Sequence, residues 1–237
     1  MIETDTLIIG AGLAGLTLAR ELSGRPGKTV VIEKSRSVGG RLSTRRSDAG
    51  NFDHGAQYLT NRTAGFSKLI DQLSQSGNLA AWNPDGKDSA HRWWVGRPGM
   101  SAVGKALAKG LDITYQTRAT HIARQDGKIL VHTQDTDGDG PVYRASRVVA
   151  AVPAPQALDL LEPLDPVFAQ LRTVSMAPCW SAMLAFDRPL TDIPDLIRGQ
   201  DGEALALIAR NGSKPGRTGE TFVMHATPQW SRTHIES

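Results

Sequence analysis

One cysteine in 237 residues, Cys179, excludes an intrachain disulfide and any zinc site built on cysteines. No stretch of 18 or more apolar residues occurs, so the sequence offers no membrane-spanning helix and no membrane partner. The N-terminus has neither a basic flank nor a small-residue cleavage site. Leu7-Ile8-Ile9 runs straight into Gly10, which reads as a buried strand and not a signal peptide, and a cytoplasmic protein is expected. Excess charge of either sign is also missing, the formal net charge being only +3. Arg36, Arg41, Arg45 and Arg46 cluster, but no basic stripe carries interleaved aromatics, so no nucleic-acid partner is expected. The cluster answers a few phosphates better. There are no internal repeats. "QDTDGDGP" lacks the glutamate that closes a calcium loop and reads as a hairpin turn. The six histidines show no Ser/His/Asp order, no H-E-x-x-H pair and no metal-ligand spacing, so no metal is expected.

What is present suits a globular chain with a core: 40% hydrophobic and 22% charged residues. The length permits one large domain or two small interleaved ones. Thr6–Ile9 predicts a buried strand, Leu13–Leu22 a helix and Thr29–Glu33 a second strand, followed by a long loop from Lys34 to about Asn51. Phe66, Leu69, Ile70 and Leu73 recur at helical spacing within Thr63–Ser76. "RWWVGRPGMSAVGKALAKG" predicts a strand, a turn at Pro98-Gly99 and a helix. Short strands with an Asp126-Gly127 hairpin follow, then an apolar strand over Arg147–Val152, then helical segments to about Arg172. "CWSAMLAFD", "EALALIARN" and "ETFVMHAT" predict an antiparallel sheet, and a helix starts in "TPQWSRTHIES". Cys179, inside a strand-like run, is expected to be a buried structural thiol. Trp93, Trp94, Trp180 and Trp230 are read mostly as core, with cofactor walls as the other use.

Gly10-Ala11-Gly12-Leu13-Ala14-Gly15 matches G-x-G-x-x-G, and its context strengthens it: a strand precedes, a helix opens within, and Glu33 ends the next strand. Gly10 permits the tight turn, Gly12 leaves room for a pyrophosphate, and Gly15 lets helix and strand approach. The helix N-terminus offers free N–H groups to that pyrophosphate. Glu33 suits a ribose diol and repels a 2′-phosphate, which disfavours NADP. Paired glycines Gly39-Gly40 and then Arg41 follow where a plain NAD domain would enter its next unit. Two adjacent glycines let backbone wrap a second side of a cofactor, and Arg41 can pair a phosphate oxygen. The pattern points to FAD.

"GAGLAGLTLARELS" with "VVIEKSRSVGGRLSTR" resembles the opening of the flavin-containing amine oxidase superfamily. "NFDHGAQYLT", "RWWVGRPGMSA", "VVAAVPAPQA" and "MHATPQWSRTHIE" resemble its bacterial renalase-like branch. The resemblance implies an α/β fold: a Rossmann-like FAD-binding domain of the glutathione reductase and p-hydroxybenzoate hydroxylase type, interleaved with an α+β substrate domain on an antiparallel sheet. The expected boundaries are residues 1–60 and 97–155 for the first and 61–96 and 156–237 for the second. The resemblance assigns Gly10, Gly12 and Gly15 to the pyrophosphate, Glu33 to the ribose, Arg41 to the phosphates and the backbone near Ala119-Thr120 to adenine, with Leu13, Ala14, Lys34 and Gly40 among the FAD contacts. It adds Ala56, Gln57, Tyr58 and Pro153 as further FAD contacts. Gln57, Tyr58, Asn211 and His225 are the substrate-side candidates: Gln57 donates and accepts, Tyr58 offers a ring and a hydroxyl, and Asn211 suits a carboxamide. His225 reads equally as a core histidine.

The activity implied is oxidation of off-pathway isomers of reduced NAD(P) by hydride transfer to flavin, with oxygen or another acceptor taking the electrons on. Such a substrate requires alignment more than a general base. The alternatives are a flavin amine oxidase or desaturase and a non-catalytic nucleotide-binding protein. The last arises because the family continues past "TPQWSRTHIE" with a helix, a strand and a second FAD-binding segment, whose absence here is expected to leave the sheet a strand short.

Overall fold

The computed structural model describes residues 1–84, 86, 93–200 and 202–235. Arg92, which opens the predicted "RWWVG" strand, and Glu236, near the end of the last predicted helix, lie outside the described residues. The chain divides into two compact units: Met1–Gly40 with Leu107–Met176, and Arg41–Ala106 with Ala177–Ser237.

Along the chain, β1 (Ile2–Ile9) leads through the glycine motif into α1 (Leu13–Ser23) and β2 (Thr29–Ile32). Then come β3 (Arg45–Ser47), β4 (Gly50–Phe52), β5 (Leu59–Thr60), α2 (Ala64–Gln75), β6 (Leu79–Trp82), β7 (Trp93–Gly96) and α3 (Ser101–Ala108). The chain continues through β8 (Ile113–Thr114), β9 (Arg118–Gln125), β10 (Lys128–Gln134), β11 (Tyr143–Ala150) and α4 (Ala154–Leu161), and then 3₁₀ turns over Glu162–Leu164 and Pro166–Thr173. It finishes with β12 (Ser181–Phe186), β13 (Leu196–Arg198), β14 (Leu205–Arg210), a 3₁₀ turn over Asn211–Ser213, β15 (Glu220–Ala226) and α5 (Pro228–Thr233). Among the described residues no helix is long and apolar enough to cross a membrane.

In the first unit, the described strands form one six-stranded sheet in the order β8-β2-β1-β11-β10-β9. β1 pairs in parallel with both β2 and β11, and Leu7, Ile8 and Ile9 at its C-terminal end are buried because a central parallel strand is covered on both faces. Leu7, Ile9, Val30, Ile32, Ile122, Val131, Tyr143 and Leu160 share one core cluster. The sheet is mixed: β9, β10 and β11 run antiparallel. Asp126 and Gly127 make the β9–β10 turn with φ of 49° and 71°, the left-handed pair that a two-residue hairpin demands. β1 and β11 each start four residues before the apolar runs that predicted them, because Glu3, Asp5 and Arg144 alternate with buried partners and mask the strand pattern.

In the second unit, β12-β15-β14-β13 form the expected antiparallel sheet, extended by β13. β5-β7-β6 and the β3–β4 hairpin are smaller sheets of the same unit. Thr63 caps α2 by accepting from the Phe66 N–H, and the helix buries Ile70 and Leu73. The predicted long loop over Lys34–Asn51 is corrected: it contains a 3₁₀ turn over Gly40–Leu42 and the β3–β4 hairpin. Arg45, Arg46 and Ser47 are all exposed, so this strand has no apolar alternation to betray it. The first crossing between units falls after Gly40, ahead of the expected boundary at residue 60, because the backbone of Arg41 bonds onward to Ala56.

Cys179 is also corrected. It is exposed, just before β12, which has a neighbour on only one side of the sheet. Partial burial pushes its thiol pKa up. Trp180 and Trp230 are exposed as well, whereas Trp93 and Trp94 are half-buried.

Candidate functional site

The first unit assembles the nucleotide residues at the C-terminal ends of its parallel strands. Gly10 has φ 103°, and a Cβ there would stand 2.8 Å from the Ala151 carbonyl oxygen and 3.0 Å from Val152 Cγ1. A Cβ on Gly15 would collide with the Gly10 carbonyl oxygen, so α1 packs on β1 only as glycine. Gly12 differs. A Cβ there meets no heavy atom within 4 Å, so the backbone faces open space. The first intrahelical bond of α1 runs from Leu16 N to the Gly12 carbonyl at 3.0 Å. The N–H groups of Leu13, Ala14 and Gly15 are therefore left at the positive end of the helix dipole, where a diphosphate fits.

The second glycine pair lies on the first. Gly39 N donates to the Ala11 carbonyl at 2.9 Å, Gly39 bridges Gly12 in parallel, and a Cβ on Gly40 would stand 3.5 Å from Gly12 Cα. Glu33 is buried, and each oxygen already accepts a backbone N–H: Ala11 N on Oε2 and Ser35 N on Oε1, both at 2.8 Å. This latch on the glycine turn was not foreseen from sequence. Each carboxylate oxygen keeps a second lone pair for a ribose hydroxyl. Lys34 is exposed beside it. Ala119 packs its side chain against the core cluster, which leaves only its backbone for a ligand. Pro153 follows the Ala151-Val152 pair that closes on Gly10 and accepts the first bond of α4 from Ala157 N.

The second unit holds Arg41, Ala56, Gln57, Tyr58, Asn211 and His225. Arg41 is exposed, while its carbonyl accepts from Ala56 N at 2.9 Å. Tyr58 stacks on Trp93 with centroids 4.5 Å apart at 9°, and its hydroxyl accepts from Arg198 at 2.8 Å. The Arg198 guanidinium also lies 5.2 Å from the Trp93 ring centre.

Beneath these lies a buried ionic network that sequence reading missed. Asp53 and Lys214 are 0% and 1% exposed. Asp53 Oδ2 takes a direct ion pair from Arg217 and stands 3.6 Å from Lys214 Nζ; its Oδ1 accepts from Thr44 at 2.7 Å and from Met100 N at 2.8 Å. Burial pushes the Asp53 pKa up, but the Lys214 and Arg217 charges and these hydrogen bonds outweigh it and hold the carboxyl below its ordinary value. Burial likewise drives Lys214 from 10.5 down to about 8, against the opposing pull of Asp53.

Lys214 Nζ donates to Gln57 Oε1 at 2.9 Å, and lies 3.4 Å from Asn211 Oδ1. Gln57 Nε2 donates to the carbonyls of Asp53 and of Gly55. Asn211 starts the turn after β14 instead of lying on the strand. Its Nδ2 donates to the Asn51 carbonyl at 2.6 Å and its Oδ1 accepts from Asp53 N at 3.3 Å, so the amide braces the Asp53 loop. His225, on β15, places Nε2 3.1 Å from the His54 carbonyl and 3.3 Å from Gln57 Nε2. Burial lowers its pKa, partly offset by the His54 carbonyl, with the nearby Lys214 charge lowering it further.

Comparison with known proteins settles the family. Residues 8–73 match the model of an NAD(P)-binding Rossmann-like domain, and residues 80–231 match that of the flavin containing amine oxidoreductases. The chain belongs to the flavin containing amine oxidoreductase family. Its cofactor is FAD, and the open face of Gly12, the exposed N–H groups of α1 and the spare lone pairs of Glu33 fit that cofactor's ADP half. Among curated relatives, a pseudooxynicotine dehydrogenase from Pseudomonas is 38% identical over 58 residues, 24% of this chain and 12% of that one. A putrescine oxidase from Kocuria rosea is 33% identical over 72 residues, 30% of this chain and 15% of that one. The aligned stretches thus span well under a quarter of either relative's length. A solved putrescine oxidase double mutant with redesigned cofactor binding aligns over all of this chain and 78% of its own, with a TM-score of 0.76 and 16% identity, a likeness of fold.

Proposed function

We propose that this flavin containing amine oxidoreductase acts on dihydronicotinamide dinucleotides carrying hydride on the wrong ring carbon, returning them to NAD(P)+. One observation carries the reading: Lys214 and Arg217 share a single buried carboxylate, Asp53, which leaves the cluster with a net positive charge. The cluster is closed to solvent, so it acts on a substrate through its field alone, which disfavours a protonated amine. A dinucleotide brings a diphosphate instead, and a planar ring. The Tyr58–Trp93 stack, with the Arg198 guanidinium over both rings, combines an aromatic surface with a cation and suits such a ligand.

Bound FAD supplies the two-electron acceptor for the substrate's hydride. The chain's own residues hold and orient. Gly12 and the N–H groups of α1 would take the cofactor's diphosphate, and Glu33 its ribose. Dihydropyridine oxidation releases no proton from the ring nitrogen, so the network of Asp53, Lys214 and Arg217 needs only to keep its shape and charge.

The second reading, oxidation of amines, is favoured by the aligned stretch of putrescine oxidase. Anaerobic mixing of the FAD-loaded protein with borohydride-generated NADH isomers, and separately with putrescine, decides between them. Rapid bleaching by the isomers alone is expected. Bleaching by putrescine and not by the isomers overturns the proposal.

A further inference from the structure

We propose that His121 and His132 together bind one divalent transition-metal ion, of the copper, nickel and zinc class, on the sheet of the first unit. The two residues lie directly opposite each other on the antiparallel strands β9 and β10. Their ring centroids are 5.8 Å apart, with the planes at 47°. Both residues are exposed. Among the described residues neither ring makes a hydrogen bond or an ion pair, and the contact between the two rings is the only aromatic one either makes. The ring nitrogens are therefore uncommitted. Neutral imidazole is the commonest protein ligand for these ions. A metal–nitrogen bond of about 2.0–2.1 Å lets two nitrogens on one ion stand up to about 4 Å apart. Directly opposed Cβ atoms are about 4.5–5.5 Å apart, so a turn of each exposed ring brings one nitrogen of each within that limit.

The backbone beneath the pair is held. The register between β9 and β10 shifts just after His132, where Ala119 and not Thr120 faces Thr133. Thr120 is thus the extra residue of a bulge, and its hydroxyl donates to the His132 carbonyl at 3.2 Å. Bulges at sheet edges commonly re-aim side chains, and β9 ends the sheet. By the register, Ala123 and Leu130 flank the pair on one side of the same face, with Arg118 and Gln134 on the other. Two further cations of that face are engaged: Arg144 with Glu3 at 3.3 Å and Lys128 with the Ser146 hydroxyl at 2.6 Å. Arg118 is exposed, on a stem long enough to turn its charge to solvent. No group of three or more His, Cys, Asp or Glu converges on a common point among the described residues, so water completes the coordination. An ion held this way pins the edge strand β9 to β10. The pair carries no sequence motif, because the two histidines meet only through strand pairing.

The test uses the full chain without an affinity tag, stripped of metal by a chelator, with copper(II) chloride as the probe. Calorimetric titration gives stoichiometry and affinity, and pulsed EPR counts the imidazoles on the copper. One ion per chain with two coordinated imidazoles is expected. His121→Gln and His132→Gln should each cut the affinity by about 10- to 100-fold, at least what the loss of a ligand's supporting contact costs. Both positions are exposed, so neither variant threatens the fold. No copper bound, a single imidazole in the unmodified chain, or an affinity unchanged in both variants overturns the proposal. A ligand that binds only the folded chain raises its stability. Nickel(II) chloride should therefore raise the thermal midpoint of the unmodified chain and not that of either variant; an equal rise in all three overturns the proposal as well. None of these readings depends on FAD or on turnover, so they stand apart from the substrate assigned above.

Discussion

The ammonium of Lys214 stands 3.6 Å from the carboxylate of Asp53, and neither side chain reaches solvent. Two cations lean on that one acid, so its removal leaves both without compensation. Asp53→Asn is expected to destabilise the chain by about 3–5 kcal/mol, the range for a broken buried ion pair. Urea unfolding followed by tryptophan fluorescence measures it; a loss below 1 kcal/mol would mean the network is hydrated and weakly coupled.

The same lysine makes stability depend on pH in an unusual direction. Its pKa is 10.5 in ordinary surroundings and about 8 when folded. Between those values the unfolded chain binds more protons than the folded one, so the lysine's contribution to stability rises with pH, by at most about 1.4 kcal/mol per pH unit. Below about pH 8 both states hold the proton and the contribution is flat. Comparison of the unmodified chain with Lys214→Met from pH 7 to pH 10 should show the difference move toward the unmodified chain as pH increases. At the acid end Asp53, held below its ordinary value, contributes stability that is lost as pH falls through its folded pKa.

Two glycines of one motif should respond in opposite ways. Gly12→Ala adds a methyl where there is open space, and folding should suffer by less than about 1 kcal/mol. FAD affinity should fall sharply, because on the proposed placement the methyl takes the room left for the diphosphate. Gly15→Ala drives a methyl into the Gly10 carbonyl and should cost about 1–3 kcal/mol of stability. Paired thermal melts and flavin fluorescence titrations test this; equal loss of stability in both would contradict the open face of Gly12.

Glu33→Ala removes charge-assisted hydrogen bonds worth about 1.5–3 kcal/mol, so FAD affinity should drop on the order of 10- to 150-fold. The Ala11 N–H also loses its acceptor, so the turn itself should loosen. Isothermal titration with FAD measures the first effect, and unchanged affinity would remove Glu33 from the ribose site.

The nucleotide motif was legible because its chemistry is local. Three glycines and an acid at fixed spacing describe one turn, and Gly10, Gly12, Gly15 and Glu33 all lie together in one unit. The ionic network was not legible, for the opposite reason. "NGSKPGR" reads as a solvated turn, and nothing near Lys214 or Arg217 in sequence announces that both are buried. Their partner Asp53 lies in another part of the chain, in "FDHGAQ", where the run's glutamine drew attention and its acid did not. Gln57 and His225 lie far apart in the sequence, yet the fold sets Gln57 Nε2 3.3 Å from His225 Nε2, with Lys214 on the other end of the amide. Asn211 was expected to reach a substrate; its amide is engaged by Asn51 and Asp53 because a buried polar group seeks the nearest backbone partner. Cys179 misled because an apolar strand suggests burial, and only the strand order reveals an edge.

The bond from Gly39 N to the Ala11 carbonyl ties two turns that are separated along the chain into one rung. Neither turn can open without breaking it. Deuterium uptake at that single amide would therefore time the breathing of both glycine turns, and its slowing on addition of coenzyme would report occupancy without any spectral change in the coenzyme itself.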